Sequence, residues 1–179
     1  MITTISSRSD VSALKFYSAT VMGILVHPRK FFGDLPESVG MIQAAGFLTV
    51  SAIVHCAAAL IHTVPSNYLV MGGTLLANAT GMVFLLTGLG FTVVSVTSKS
   101  KVRFGRLFRI YALSTGVTLL ISWVPAVLVY TEIWKWWLIG TGMTYGLGFK
   151  WYRALAIVGF SIVTTILLFH WLLAPETRI

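Results

Sequence analysis

The stretch Ser98-Lys99-Ser100-Lys101-Val102-Arg103-Phe104-Gly105-Arg106-Leu107-Phe108-Arg109 decides how this chain is read. It holds the densest run of positive charge in a sequence that is 56% hydrophobic and 10% charged. Soluble domains carry about 25% charged residues, and the apolar blocks on either side are too long for a soluble core helix. At ~3.6 residues per turn, Phe104, Leu107, Phe108 and Tyr111 share one face, and Lys99, Arg103, Arg106 and Arg109 gather on the other. That spacing predicts a helix over 102–110 lying at a membrane surface, its basic side toward anionic headgroups.

On the N-terminal side of the run, residues 68–96 form one apolar block. As a helix it is roughly 45 Å long at ~1.5 Å per residue, more than a ~30 Å hydrocarbon core. It must tilt, kink or protrude, and Gly72, Gly73 and Gly81 are the places to bend. Pro65, Ser66 and Asn67 separate it from an earlier span at 38–62. Before that comes His27-Pro28-Arg29-Lys30-Phe31-Phe32-Gly33-Asp34-Leu35-Pro36. Pro28 sets a turn, Arg29 and Lys30 hold headgroups, and Phe31 and Phe32 dip into the acyl boundary. Residues 10–26 place Val11, Leu14, Tyr17, Val21 and Leu25 at helical spacing but are short and mixed, which predicts an amphipathic interfacial helix. A tilted or re-entrant segment is the alternative.

On the C-terminal side, 110–130 is the third span, with Pro125 kinking its outer part. The connection holds Glu132 and Lys135, and the fourth span is 133–149, with Gly142 and Gly146 at small-xxx-small spacing. The fifth is 154–173. The expected fold is therefore an all-α integral membrane protein with five transmembrane helices. Residues 1–37 form a cytoplasmic and interfacial segment, 38–174 the transmembrane domain, and 175–179 an external stub.

Counting basic residues sets the orientation. With the N-terminus cytoplasmic, every Lys and Arg is inside except Lys135 and Arg178, and the C-terminus is outside. No apolar h-region with a cleavage site opens the chain, so no cleaved signal peptide is expected. The net charge of +8 belongs to retained loops. Nucleic acid is not an expected partner, because the same residues are needed at the membrane. Cys56 is the single cysteine, which excludes an internal disulfide.

The Pro28-Arg29-Lys30-Phe31-Phe32 collar, five spans with short connections, the basic Phe-rich stretch, Pro125, and Trp134, Trp136 and Trp137 opening the fourth span follow one another in order. From Pro28 to Leu173 the chain resembles the Yip1 family of membrane proteins. That resemblance implies a cytosolic N-terminus. Eukaryotic members are associated with Rab GTPases and vesicle traffic and carry an acidic-aromatic N-terminal motif. Met1 to His27 has no such motif, so the Rab role is not carried over. The chain looks like a prokaryotic-type member, which implies the plasma (inner) membrane.

Chemistry is sparse. No carboxylate falls inside an expected span, which argues against a proton relay or an intramembrane aspartyl protease. No nucleophile motif or phosphate loop is evident. His55 and His62 share a face of the first span and His170 lies near the outer end of the fifth. Together they are candidates for haem or metal, against the plainer reading of interfacial and helix-bonding imidazoles. Cys56 points ~100° away from His55 and is a poor co-ligand. Gln43, Asn78 and the intramembrane Ser and Thr residues are expected to bond neighbouring helices, or else to line a polar path. The tryptophans fit an interfacial belt.

The expectation is a non-enzymatic scaffold or subunit of a membrane assembly, with no cofactor. Arg29, Lys30, Arg103, Arg106 and Arg109 would dock lipid headgroups or a partner. Gly72, Gly73, Gly81, Gly142 and Gly146 would pack helices. Membrane lipids, other membrane proteins and a second copy are the expected partners. A transporter of a lipid or small solute is the alternative, and a haem-binding redox subunit the third possibility.

Overall fold

A computed structural model of the protein describes residues 3–36, 39–63, 65–97 and 102–173. Among these the chain is all-helical: α1 (Thr3–Val26), α2 (Pro28–Gly33), α3 (Met41–His62), α4 (Tyr68–Thr97), α5 (Phe104–Ser122), α6 (Leu128–Leu147) and α7 (Trp151–Leu173). A 3₁₀ turn, Pro125–Val127, joins α5 to α6. Lys99, the first residue of the 38–62 span and the 175–179 stub lie outside the described residues.

Local chemistry sets the helix ends. Pro28 opens α2, where its missing N–H costs nothing. The Gln43 side chain accepts the Gly40 N–H at 3.2 Å at the start of α3. Asn67 Oδ1 accepts from the N–H groups of Leu69 (3.0 Å) and Val70 (3.2 Å), satisfying two orphan donors of α4. Gly148, at φ 71°, closes α6 in the left-handed region, and Phe149 N–H reaches back to Met143 O at 3.2 Å.

Helix α5 is the axis of the bundle. Every residue from Leu107 to Thr118 is buried. Helices α3, α4 and α6 pack on it, α7 bridges α4 and α6, and α1 with α2 fills the side between α6 and α3. Phe108 meets Phe84 of α4 at 4.8 Å between centroids, and Phe104 meets Phe91 at 5.6 Å. Among the described residues, three helices are long and apolar enough to cross a membrane: α3, α4 and α5.

Several expectations are corrected. Residues 102–110 are not a separate surface helix; from Phe104 they are the first turns of α5, because their apolar face is taken by α4 and the core. The third span ends at Ser122 and not at 130; Pro125 lies in the connection instead of kinking a helix. The fourth helix starts at Leu128 and the last at Trp151. Helix α4 runs unbroken through Gly72, Gly73 and Gly81.

The N-terminal helix does not lie across the helix ends either. Tyr17 Oη is 3.0 Å from Ser51 Oγ, and its ring sits 4.8 Å from that of Phe47. Ser51 is ten residues into α3, about 15 Å along its axis at ~1.5 Å per residue. Thr20 and Ile24 are buried while Leu14, Met22, Leu25 and Val26 face outward. From Met22 to Val26 the helix is apolar on its inner and outer sides alike, which suits immersion of this end beside α3 and α5 better than a flat position between water and lipid.

Candidate functional site

Arg29, Lys30, Arg103, Arg106 and Arg109 gather at one end of the bundle, where α2, the starts of α3, α5 and α7, and the end of α6 meet. The structure divides them into two places. Arg103 precedes α5 and is exposed, as is Arg106. Arg109 is only 8% exposed. Its Nη1 donates to Val39 O at 2.7 Å and to Pro36 O at 3.1 Å, tying the link before α3 onto α5. These arginines, with Gly40 and Met41, line a cleft of about 240 Å³. A second cleft of about 190 Å³ shares Arg106 and Arg109 and reaches Phe32 and Gly146. The first turn of α3 adds its own partial positive charge to the same opening.

Arg29 stands apart from that group. It is exposed on α2, its guanidinium carbon 6.0 Å above the Tyr145 ring of α6. Lys30 is exposed beside it. Of the collar's aromatics, Phe32 does not reach for lipid, while Phe31 is half-buried. Phe32 is 1% exposed and seats against α6, where a Cβ on Gly142 would lie 3.3 Å from its ring and a Cβ on Gly146 would lie 3.2 Å from its carbonyl oxygen. Phe31 packs edge-on to Phe32 at 5.5 Å and lies against Gly23.

Arg153 is a residue the sequence reading passed over. Its Nη2 donates to Thr97 O at 2.6 Å, at the negative end of the α4 dipole, and its guanidinium lies 5.2 Å from the Phe149 ring centroid. No local sequence signal points to it, because Arg153 and Thr97 lie 56 residues apart and meet only through the packing of α7 on α4.

The glycines differ among themselves. Gly142 and Gly146 face Ile110 and Phe32 closely, and Gly72 faces Leu60. Around Gly73 and Gly81 there is open space within 4 Å of where a Cβ would stand. The histidines are apart in their bonding. His55 Nδ1 is 3.2 Å from both Leu119 O and Ser122 Oγ; His62 stacks on Trp123 at 5.3 Å; His170 is exposed. Among the described residues no three His, Cys, Asp or Glu side chains gather as a metal site.

No family model, curated protein or solved structure matches this chain. Its reading therefore rests on the geometry just described.

Proposed function

We propose that α3 to α7 cross the bilayer five times with the basic end on the cytoplasmic side of a prokaryotic plasma membrane. The protein is a non-enzymatic scaffold or subunit of a membrane assembly, Yip1-like in the order of its features. Its cytoplasmic face holds anionic headgroups and an acidic partner surface. The observation that carries this is the convergence of Arg103, Arg106 and Arg109 on the start of α3. The cations of Arg103 and Arg106 at the start of α5 oppose its dipole and lie exposed, so helix stability does not explain them; anion binding and retention inside do.

Helix α1 is read as dipping from the same face. Its first turns, from Thr3 to Asp10, carry Arg8, Asp10 and five Ser or Thr residues, which leaves Val11 to Val26 as the apolar part, about 24 Å at ~1.5 Å per residue and short of a ~30 Å core.

Two experiments test the proposal. In a Cys56→Ala background, Lys150→Cys and Ser7→Cys should react with a membrane-impermeant thiol reagent only in inverted vesicles, and Ser66→Cys only in intact cells. Lys150→Cys reacting from outside refutes the orientation; Ser7→Cys reacting from outside makes α1 a sixth crossing. Isolation from native membranes in mild detergent should recover stoichiometric neighbours. Recovery of the lone chain at every detergent strength refutes the assembly role.

A further inference from the structure

We infer that α6 and α7 hold one anionic phospholipid, with its phosphate at Arg29 and one acyl chain in the groove between the two helices. The inference rests on the membrane placement proposed above but uses residues distinct from the Arg103 cleft.

Two cavities adjoin there. The one nearer the basic end, about 300 Å³, is lined by Arg29, Trp137, Thr141, Thr144, Tyr145 and Trp151. The deeper one, about 250 Å³, has Ile133, Leu155, Val158 and Ile162 in its walls. Trp137 and Trp151 border both, so the two meet at an indole neck. Gly140 and Gly159 leave the groove unfilled: nothing stands within 4 Å of a Cβ at Gly159, and a Cβ at Gly140 would touch only the Trp151 ring, at 3.4 Å.

The order of chemistry along the groove matches an amphiphile. A guanidinium held over the Tyr145 ring stands at the mouth. Two threonines follow, then the indoles of Trp137 and Trp151, then apolar walls in which Trp136 joins the aliphatic side chains. Ile133 and Tyr145 are twelve residues apart on α6, ~18 Å at ~1.5 Å per residue. That is close to one leaflet of a ~30 Å core. The charge at the mouth selects an anion, and the anionic lipids of the cytoplasmic leaflet are the source at hand. A partner helix fits poorly. Spread over roughly 10 Å of helix axis, the deeper cavity has a cross-section on the order of 25 Å². That admits a hydrocarbon chain and not a helix ~10 Å across.

The test uses the full chain in mixed micelles with phospholipids brominated on one acyl chain, which quench nearby tryptophans. Quenching by brominated phosphatidylglycerol should saturate at a mole fraction about fivefold lower than that for brominated phosphatidylcholine, the effect of one well-placed cation. Arg29→Gln, at an exposed position, should make the two equal. Gly159→Leu, built into open space, should remove the saturable component for both lipids. Arg103→Gln with Arg106→Gln should leave the preference intact, which separates this site from the cleft. Equal quenching by the two lipids in the native chain overturns the inference, as does an unchanged preference in Arg29→Gln. Competition by glycerol 3-phosphate as strong as by the whole lipid overturns the acyl-chain part.

Discussion

Replacing Arg109 by Leu should lower stability by about 3 kcal/mol, the scale on which removing one partner of a buried charged hydrogen-bond set costs a fold. For a chain of this size that is on the order of 10 °C in Tm, read by thermal unfolding of the purified protein in detergent. Two carbonyls, Pro36 O and Val39 O, lose a charged donor, the second of them at a buried residue. Neither an apolar substitute of similar length nor extra membrane affinity restores those bonds. Arg109→Lys should recover about half of the loss, since an ammonium keeps the charge but not the planar fork. Arg106→Gln, at an exposed position one turn earlier, should stay within about 1 kcal/mol of the native chain. A Leu variant that melts within about 2 °C of the native protein would show that the link before α3 is held by something else.

Arg109 also shows what the sequence made legible. The helical wheel drawn on 102–111 puts Leu107, Phe108 and Tyr111 inside and Arg103 and Arg106 outside, as the structure does, but it sets Arg109 on the outer face, where the structure buries it against the link before α3. What the wheel leaves open is the medium on the apolar side. A lipid surface and a neighbouring helix impose the same periodicity, and here the neighbour is α4. Hydropathy misleads in the same way. Helix α5 has the lowest mean hydropathy of the three long apolar helices, 1.2 against 2.0 for α3 and 1.9 for α4, yet 67% of its window is buried against 33% and 28%. The central helix needs no greasy coat, because it meets protein on all sides; Ser114, Thr115, Gly116 and Thr118 let its neighbours close in. The outer helices carry the high hydropathy on surfaces that no neighbouring helix covers.

Other boundaries were hidden for related reasons. A proline such as Pro125 marks the end of a helix and a kink within one by the same letter, and only the packing of α6 decides between them. Helix α1 mixes Lys15 and several Ser and Thr residues among its apolar ones, so composition favours an interface, while the Tyr17 to Ser51 contact comes from pairing across 34 residues. The site at Arg29 was half visible: the cation was marked, but Thr141, Thr144, Tyr145 and Trp151 lie more than a hundred residues away in the chain. The spacing of Gly142 and Gly146 was read as a contact between helices; which residues enter that contact became clear only with Phe32 in place.

Gly142→Val should be the second severe substitution. A Cβ there would lie 2.5 Å from Ile110 Cγ2 and 3.3 Å from the Phe32 ring. Ile110 is β-branched, buried and on the central helix, so it has no free rotamer to retreat into. Overpacking of this kind costs about 1–3 kcal/mol, and a branched side chain adds two more carbons to the clash. Gly73→Val is the matched control: the chemistry is identical, but the position is open, so no loss of Tm is expected. The substitution reaches function as well. Phe32 seats α2 on α6, and α2 carries Arg29 over Tyr145. Forcing Phe32 out of its seat should move that cation and erase the preference for phosphatidylglycerol in the quenching assay, even at temperatures where Gly142→Val remains folded. A variant with lowered Tm and an intact preference would mean that the position of Arg29 is set by α1, through Gly23 and Phe31, and not by the seat on α6.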